Sequence, residues 1–428
     1  MRFWKNWKNV AGLGLLVGGV GLIAFALLGM PGRRFPAPTI AQAPSATQAP
    51  TSEPTAAPSP TPIVDFGAAA QVDAARLEQR LRDSIRAGAD YLTQNQLSNG
   101  ELPYIVDVSS GERVETPSLI RLVAGTGALY TACRVTGDDA ICRAADRALA
   151  LYLGSVVEGE HFGGLCLYDR GRCAVGGAAL AIDAIYKRWQ ATGSTALGET
   201  DLTAMALGMG EHIIWLKRAD GGLYHALDPF PGGGVDADYF VVYFNGESLM
   251  ALLELYEMTG DPLWLEEARS LNAYMLQQEI THDHWHGYAF RLFALLDTLT
   301  VEDSEYATEI AKAIIRDEED LLEAQHSSIS NATKAEALAG IAVAFLEADM
   351  PHEWLAPEIQ KFAQFVMDRQ LPANGCGWSE EAVARYTGGI YRSCEAPYIR
   401  LDANQHWING AATFLEYLER ARGARGSS

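Results

Sequence analysis

The chain has 428 residues, 48% of them hydrophobic and 20% charged, a globular composition long enough for one large domain or two. Its 33 basic and 54 acidic side chains leave a net charge of −21. A field of that sign repels nucleic acid and anionic lipid headgroups, so no nucleic-acid partner is expected, and neutral or cationic ligands suit it better than polyanions.

Arg2, Lys5 and Lys8 precede an uncharged apolar run over residues 10–30, and Arg33 and Arg34 follow it. At helical rise the run spans about 31 Å, enough to cross the hydrocarbon core of a bilayer. The nearest small-residue cleavage pattern, Ala41-Gln42-Ala43, lies well downstream. The sequence therefore predicts an uncleaved, single-pass signal anchor with residues 1–9 in the cytoplasm and the body outside it. The lipid bilayer is one expected partner. Residues 31–63 are mostly Pro, Ala, Thr and Ser, a composition that cannot bury a core and predicts a disordered spacer. The body occupies residues 64–425.

Six cysteines fall as close pairs: Cys133 with Cys142, Cys166 with Cys173, and Cys376 with Cys394. Proximity and an oxidising compartment favour three local disulfides, although six cysteines allow about 15 pairings. Their spacing does not resemble a zinc framework, and no metal or other cofactor is expected.

The body repeats one pattern. A helix-period segment with a charged face is followed by a more apolar, Gly- and Ala-rich one. The first kind covers residues 73–96, 138–157, 200–219, 261–278, 305–325 and 356–370. The second covers 118–137, 174–193, 239–260, 284–299, 331–348 and 402–420. Three of the second kind end alike, at Thr136-Gly137, Thr192-Gly193 and Thr259-Gly260, where Gly stops the helix. A helix apolar all round is buried, so the second helices form an inner barrel and the first an outer one. No run at strand period competes. The predicted fold is all-α, an (α/α)6-type toroid of about twelve helices, preceded by the transmembrane helix and the linker.

The stretch Lys361…Phe365-Val366…Gln370…Gly375-Cys376-Gly377-Trp378 is similar to the Gln-Trp repeat of squalene and hopene cyclases, and Tyr91-Leu92…Gln96…Gly100 is a weaker copy. Over residues 75–420 the chain resembles the α/α toroid superfamily, which includes six-hairpin glycosidases, polysaccharide lyases, sugar epimerases and terpenoid cyclases. The resemblance implies a fold and leaves the chemistry open. The Asp-x-Asp-Asp acid of triterpene cyclases, the zinc thiolate of prenyltransferases and lanthionine cyclases, and the Cys-Gly-Glu-Gln of thioester domains are all missing here. Sugar chemistry or pure binding remains.

In such a toroid the cleft opens where the inner helices begin. Those starts supply Arg121, then Tyr243, Asn245 and Glu247, then Asp283, His284, Trp285 and His286, then Glu336, then Asp402, Gln405, His406 and Trp407. Trp378 stands on a neighbouring loop. Glu247 is a carboxylate in an otherwise apolar helix, costly unless used or paired. Asp402 and His406 share one helical face. The leading expectation is a membrane-anchored, extracytoplasmic glycoside hydrolase-like enzyme acting on a polysaccharide. Glu247 and Asp402 serve as acid and base, with Glu336 and Asp283 in reserve. The remaining polar and aromatic groups hold the glycan. A lyase or epimerase, and a non-catalytic toroid that binds a glycan or a protein partner, are the alternatives.

Overall fold

A computed structural model of the chain describes residues 68–113, 118–159, 161–280, 283–316, 327–373 and 376–426. The expected anchor and spacer lie outside the described residues. Thirteen helices follow in order: α1 (Ala68–Gln94), α2 (Leu119–Thr136), α3 (Asp139–Leu153), α4 (Val175–Thr192), α5 (Leu202–Trp215), α6 (Phe244–Thr259), α7 (Pro262–Met275), α8 (His284–Leu295), α9 (Val301–Arg316), α10 (Ser328–Glu347), α11 (Leu355–Met367), α12 (Glu380–Arg385) and α13 (Leu401–Gly426). Twelve match the expected pairs, and α12 is a short insertion. The expected extension of α9 to residue 325 lies outside the described residues.

Helices α2, α4, α6, α8, α10 and α13 pack each on the next, and α13 returns to α2, closing an inner ring of six. The outer helices cover the seams: α1 lies on α13 and α2, α3 on α2 and α4, α5 on α4 and α6, α9 on α8 and α10. Small residues let the inner helices crowd. A Cβ at Gly340 of α10 would stand 2.7 Å from the Gly287 carbonyl oxygen of α8, so the two backbones touch there. Helix α10 is long and apolar enough to cross a membrane, yet most of it is buried as an inner stave.

The Thr-Gly turns behave as expected. Gly137, Gly193 and Gly260 take left-handed φ values of 65°, 68° and 68°. After two of them an aspartate caps the next helix: Asp138 accepts from the Ala140 amide and Asp261 from the Leu263 amide. The motif glutamines tie outer-helix ends to their neighbours. Gln96 donates to the Gly100 and Ala144 carbonyls, and Gln370 to those of Ser84 and Gly388.

One expectation needs correction. Eight short strands occupy the loops, the longest being β3 (Leu165–Asp169) with 5 residues. They are too brief to show a period in sequence. β2 (Val156–Glu158), β3, β4 (Arg172–Ala174) and β7 (Ala226–Leu227) form an antiparallel sheet at one end of the barrel, and β5 (Ala196–Leu197) and β6 (Thr200–Asp201) a hairpin at the other. β1 (Ile105–Asp107) pairs with β8 (Tyr398–Arg400), joining the loops of the first and last hairpins.

All three expected cysteine pairs lie at bonding distance, with Cα separations of 5.3, 5.7 and 5.1 Å. They tie α2 to α3, β3 to β4, and the two sides of the loop before α13. Peptide mapping without reductant should recover these pairs. Reducing each should cost about 2–3 kcal/mol for such short loops.

His212 of α5 is fully buried, and burial pushes its pKa down to about 4. In the unfolded chain it takes a proton near pH 6.5. Its contribution to stability is therefore complete above about pH 6.5 and is lost as the pH falls to about 4, on the order of 3 kcal/mol. His286, pushed to about 3 by burial, adds the same sign. A His212→Leu variant should lose part of that acid slope in urea titrations at successive pH values; an unaltered slope would refute the assignment.

Candidate active site

The six inner helices begin at one mouth, so their amide dipoles face it and favour negative charge there. Helix α8 opens with Asp283 as its cap, accepting from the Trp285 amide at 3.0 Å. That cap brings His284 into the barrel interior, where Glu336 of α10 is fully buried.

Glu336 organises the centre. Its Oε1 accepts from the Tyr288 hydroxyl at 2.7 Å, and its Oε2 lies 2.7 Å from His406 Nδ1. A carboxylate can only accept, so the Nδ1 of His406 is the nitrogen that donates to Glu336, and in the neutral ring Nε2 is the acceptor. His284 Nε2 lies 3.9 Å from the same Oε2 and has no hydrogen-bond partner among the described residues. The two imidazoles meet edge to face with centroids 4.6 Å apart. Burial, then the neighbouring His406, holds the His284 pKa well below its usual range, so His284 is a neutral base at ordinary pH. Tyr243 stands 5.8 Å from His284, and Trp285 stands 6.0 Å from His406.

Asp402 is differently placed. Arg121 pairs with its Oδ2, Arg400 Nε reaches Oδ1 at 3.0 Å, and Arg400 Nη2 reaches Oδ2 at 2.5 Å. Two guanidiniums thus hold both its oxygens. Glu247 is buried and its Oε2 has no hydrogen-bond partner among the described residues. A Cβ at Gly176 would stand 2.4 Å from that oxygen, so only glycine fits beside it. Burial first, then the negative charge of Asp283, raises Glu247 well above the carboxylate range, and burial lifts Asp283 to about 7. Both effects favour the protonated form of Glu247.

The other predicted residues divide. Gln405 lies 3.4 Å from His406, and Asn245 is buried beside His225 at the start of α6. His286 turns to the outer layer, with Nε2 2.9 Å from Asn272 of α7 and its ring stacked on Phe290. Trp407 also turns outward, donating from Nε1 to Ser84 of α1 at 2.7 Å. Trp378 packs edge-on against Tyr391 in the loop before α13.

The sequence reading missed Tyr288, Arg400, Asp183 and Glu254. Tyr288 lies one turn beyond His284 on the same face, a spacing that marks it. Asp183 of α4 and Glu254 of α6 are buried carboxylates in apolar helices, the same signal that singled out Glu247. They line a cavity of about 40 Å³ further down the barrel, with Tyr288, Lys187 and Asn409. That volume holds a few waters, and it lies beneath the imidazole pair rather than above it.

His284, Glu336 and His406 each offer one donor atom, all within 4.8 Å of one another. Two imidazoles and a carboxylate suit a borderline divalent cation.

The sequence matches no family model and no curated protein. Solved structures do match. A cellobiose 2-epimerase from Bacillus thermoamylovorans aligns at TM-score 0.57 and 13% identity, covering 82% of this chain and 100% of that one. An unsaturated glucuronyl hydrolase specific for heparin aligns at 0.56 and 13%, covering 79% and 98%. A D-mannose isomerase aligns at 0.54 and 10%, covering 78% and 97%. The fold is the α/α toroid. At such identities the likeness is one of architecture, and the ring of inner helices accounts for it.

Proposed function

We propose that the chain is a carbohydrate-active enzyme that moves a proton at a sugar carbon beside a carbonyl, as an epimerase or isomerase does. One observation carries this reading: His284, a neutral buried base whose Nε2 has no hydrogen-bond partner among the described residues, meets His406, whose Nδ1 is fixed on Glu336. Two bases side by side at an open-chain sugar can do complementary work. His284 takes the C2 proton, and the electron pair passes into the carbonyl as an enediol forms. A proton then returns to C1, giving the ketose, or, once the enediol has turned about C2–C3, to the other face of C2, giving the epimer, while the enediol hydroxyl gives its proton back to Glu247 as the carbonyl re-forms. Glu336 holds His406 in the tautomer that leaves Nε2 toward the substrate. The protonated Glu247 can donate to the carbonyl oxygen.

Hydrolysis by carboxylates is less well supported for Asp402, whose oxygens are held by Arg121 and Arg400. Glu247 with Asp283 is the remaining acidic pair for that reading. Incubating the full chain with reducing sugars in D2O separates the two. Proton transfer puts deuterium on C2, visible by NMR, whereas hydrolysis creates new reducing ends without it. Absence of C2 exchange across aldoses, ketoses and reducing oligosaccharides would sink the proposal.

A second reading, a divalent cation held by His284, Glu336 and His406, rests on their convergence. Elemental analysis of the purified chain, with activity before and after chelation, tests it. The proposal also keeps the chain on a membrane through residues 10–30 with its body outside the cytoplasm, supported by that apolar run and the paired cysteines. Protease accessibility of the body in intact cells tests this part.

A further inference from the structure

The mouth and its rim differ in what they could hold. Within the mouth both guanidiniums near the reacting pair, Arg121 and Arg400, are committed to Asp402. A substrate carboxylate arriving there would meet guanidiniums whose charge Asp402 already offsets. On the rim, the segment before α6 exposes Asp228, Asp236 and Asp238. Arg172 reaches this segment, but its guanidinium lies over the Tyr239 ring, 4.3 Å from the centroid. The local field therefore opposes an anionic sugar, as does the net charge of −21.

The same segment carries exposed rings. Phe240 is 66% exposed, Phe230 51% and Tyr243 46%. Three exposed aromatics on one water-facing segment are unusual without a partner. Phe240 is also braced: His225 stacks on one face at 4.8 Å and 18°, and His225 Nδ1 accepts from the Val241 amide at 2.9 Å. One face of Phe240 is thus backed by protein and the rest is open, as in a fixed stacking platform. Phe230 is braced edge-on by Tyr168. Tyr243 links the platform to the reacting pair through its 5.8 Å approach to His284.

Resting on the proton-transfer reading, we infer that the substrate is an uncharged oligosaccharide. Its reducing-end unit enters the mouth past Tyr243, and the following units lie across Phe240 and Phe230. Apolar sugar faces stack on such rings and need no charged partner.

The full chain can be titrated calorimetrically with cellotetraose, mannotetraose and chitotetraose, with their monosaccharides, and with an unsaturated uronyl disaccharide. One neutral tetrasaccharide should bind about tenfold more tightly than its own monosaccharide, a gain appropriate to one or two stacked rings. Phe240→Ala should weaken tetrasaccharide binding by most of that factor. The side chain is mostly exposed, so the fold should survive, and an unchanged melting temperature verifies this. The inference is overturned if no neutral tetrasaccharide binds better than its monosaccharide, if Phe240→Ala and Phe230→Ala together leave the length advantage intact, or if the uronyl disaccharide binds best. A uronyl sugar that exchanges its C2 proton would remove this inference and leave the proton-transfer reading standing. A neutral tetrasaccharide that binds through the rim without exchange would do the reverse.

Discussion

Gly340→Val should destabilise the protein by about 3 kcal/mol or more, because there is no side chain to move aside. A Cβ at 340 would stand 2.7 Å from the Gly287 oxygen and 2.9 Å from its carbon. From the other side, a Cβ at 287 would meet the Ala337 oxygen at 2.8 Å. Relief requires α8 and α10 to separate, and these helices carry His284 and Glu336. The same substitution should therefore disturb the reacting centre even where the protein still folds. Gly423→Ala is the control. It has open space around its Cβ and lies in α13, so helix propensity predicts a neutral or slightly stabilising change, within about 1 kcal/mol. Urea denaturation of both variants decides the matter. A Gly340→Val protein as stable as the parent would mean that the two backbones do not touch as described.

Glu336→Gln should reduce turnover by about 10²–10⁴, the range for loss of positioned acid–base catalysis, while sparing most of the stability. The amide is the same shape as the carboxyl, and its oxygen can still accept from Tyr288. Its NH2 group would then face His406 Nδ1, which must accept instead of donate. The imidazole proton moves to Nε2, and His406 presents a donor where an acceptor is needed. Since His284 is held well below its usual pKa, the acid limb of kcat/KM in the parent should lie below about pH 6.5. Deuterium exchange at C2 over a pH series measures both. Near-parental exchange in Glu336→Gln would exclude the tautomer argument.

The architecture was legible because helical amphipathicity is local. The contrast between Arg76, Glu78 and Arg80 on α1 and the Gly- and Ala-rich run of α4 separates outer from inner helices without tertiary knowledge. The site was legible only by end. The sequence could say that Glu247, His284, Glu336, Asp402 and His406 stand near inner-helix starts. It could not say which way each points around its helix. Adjacent residues diverge accordingly: His406 faces Glu336 while Trp407 faces Ser84, and His284 faces the barrel while His286 faces Asn272. Nor could it pair charges across the ring. Arg121 meets Asp402, 281 positions away. The loop strands stayed hidden because two or three residues carry no periodicity.

The pairing of β1 with β8 makes the barrel a circle in space although the chain is a line. The first hairpin cannot acquire its second neighbour until the last one exists. The contact between Trp407 and Ser84 spans 323 positions. During synthesis the growing protein must therefore persist as an open crescent, with one flank of α2 and of α1 uncovered, until nearly the whole chain has emerged. Closure is a late, long-range event, and contacts of such separation form slowly. Conversely, the closed ring has no privileged starting point. A chain cut in the exposed β5–β6 hairpin, with α13 joined to α1 through a linker, contains every contact needed to draw the same circle.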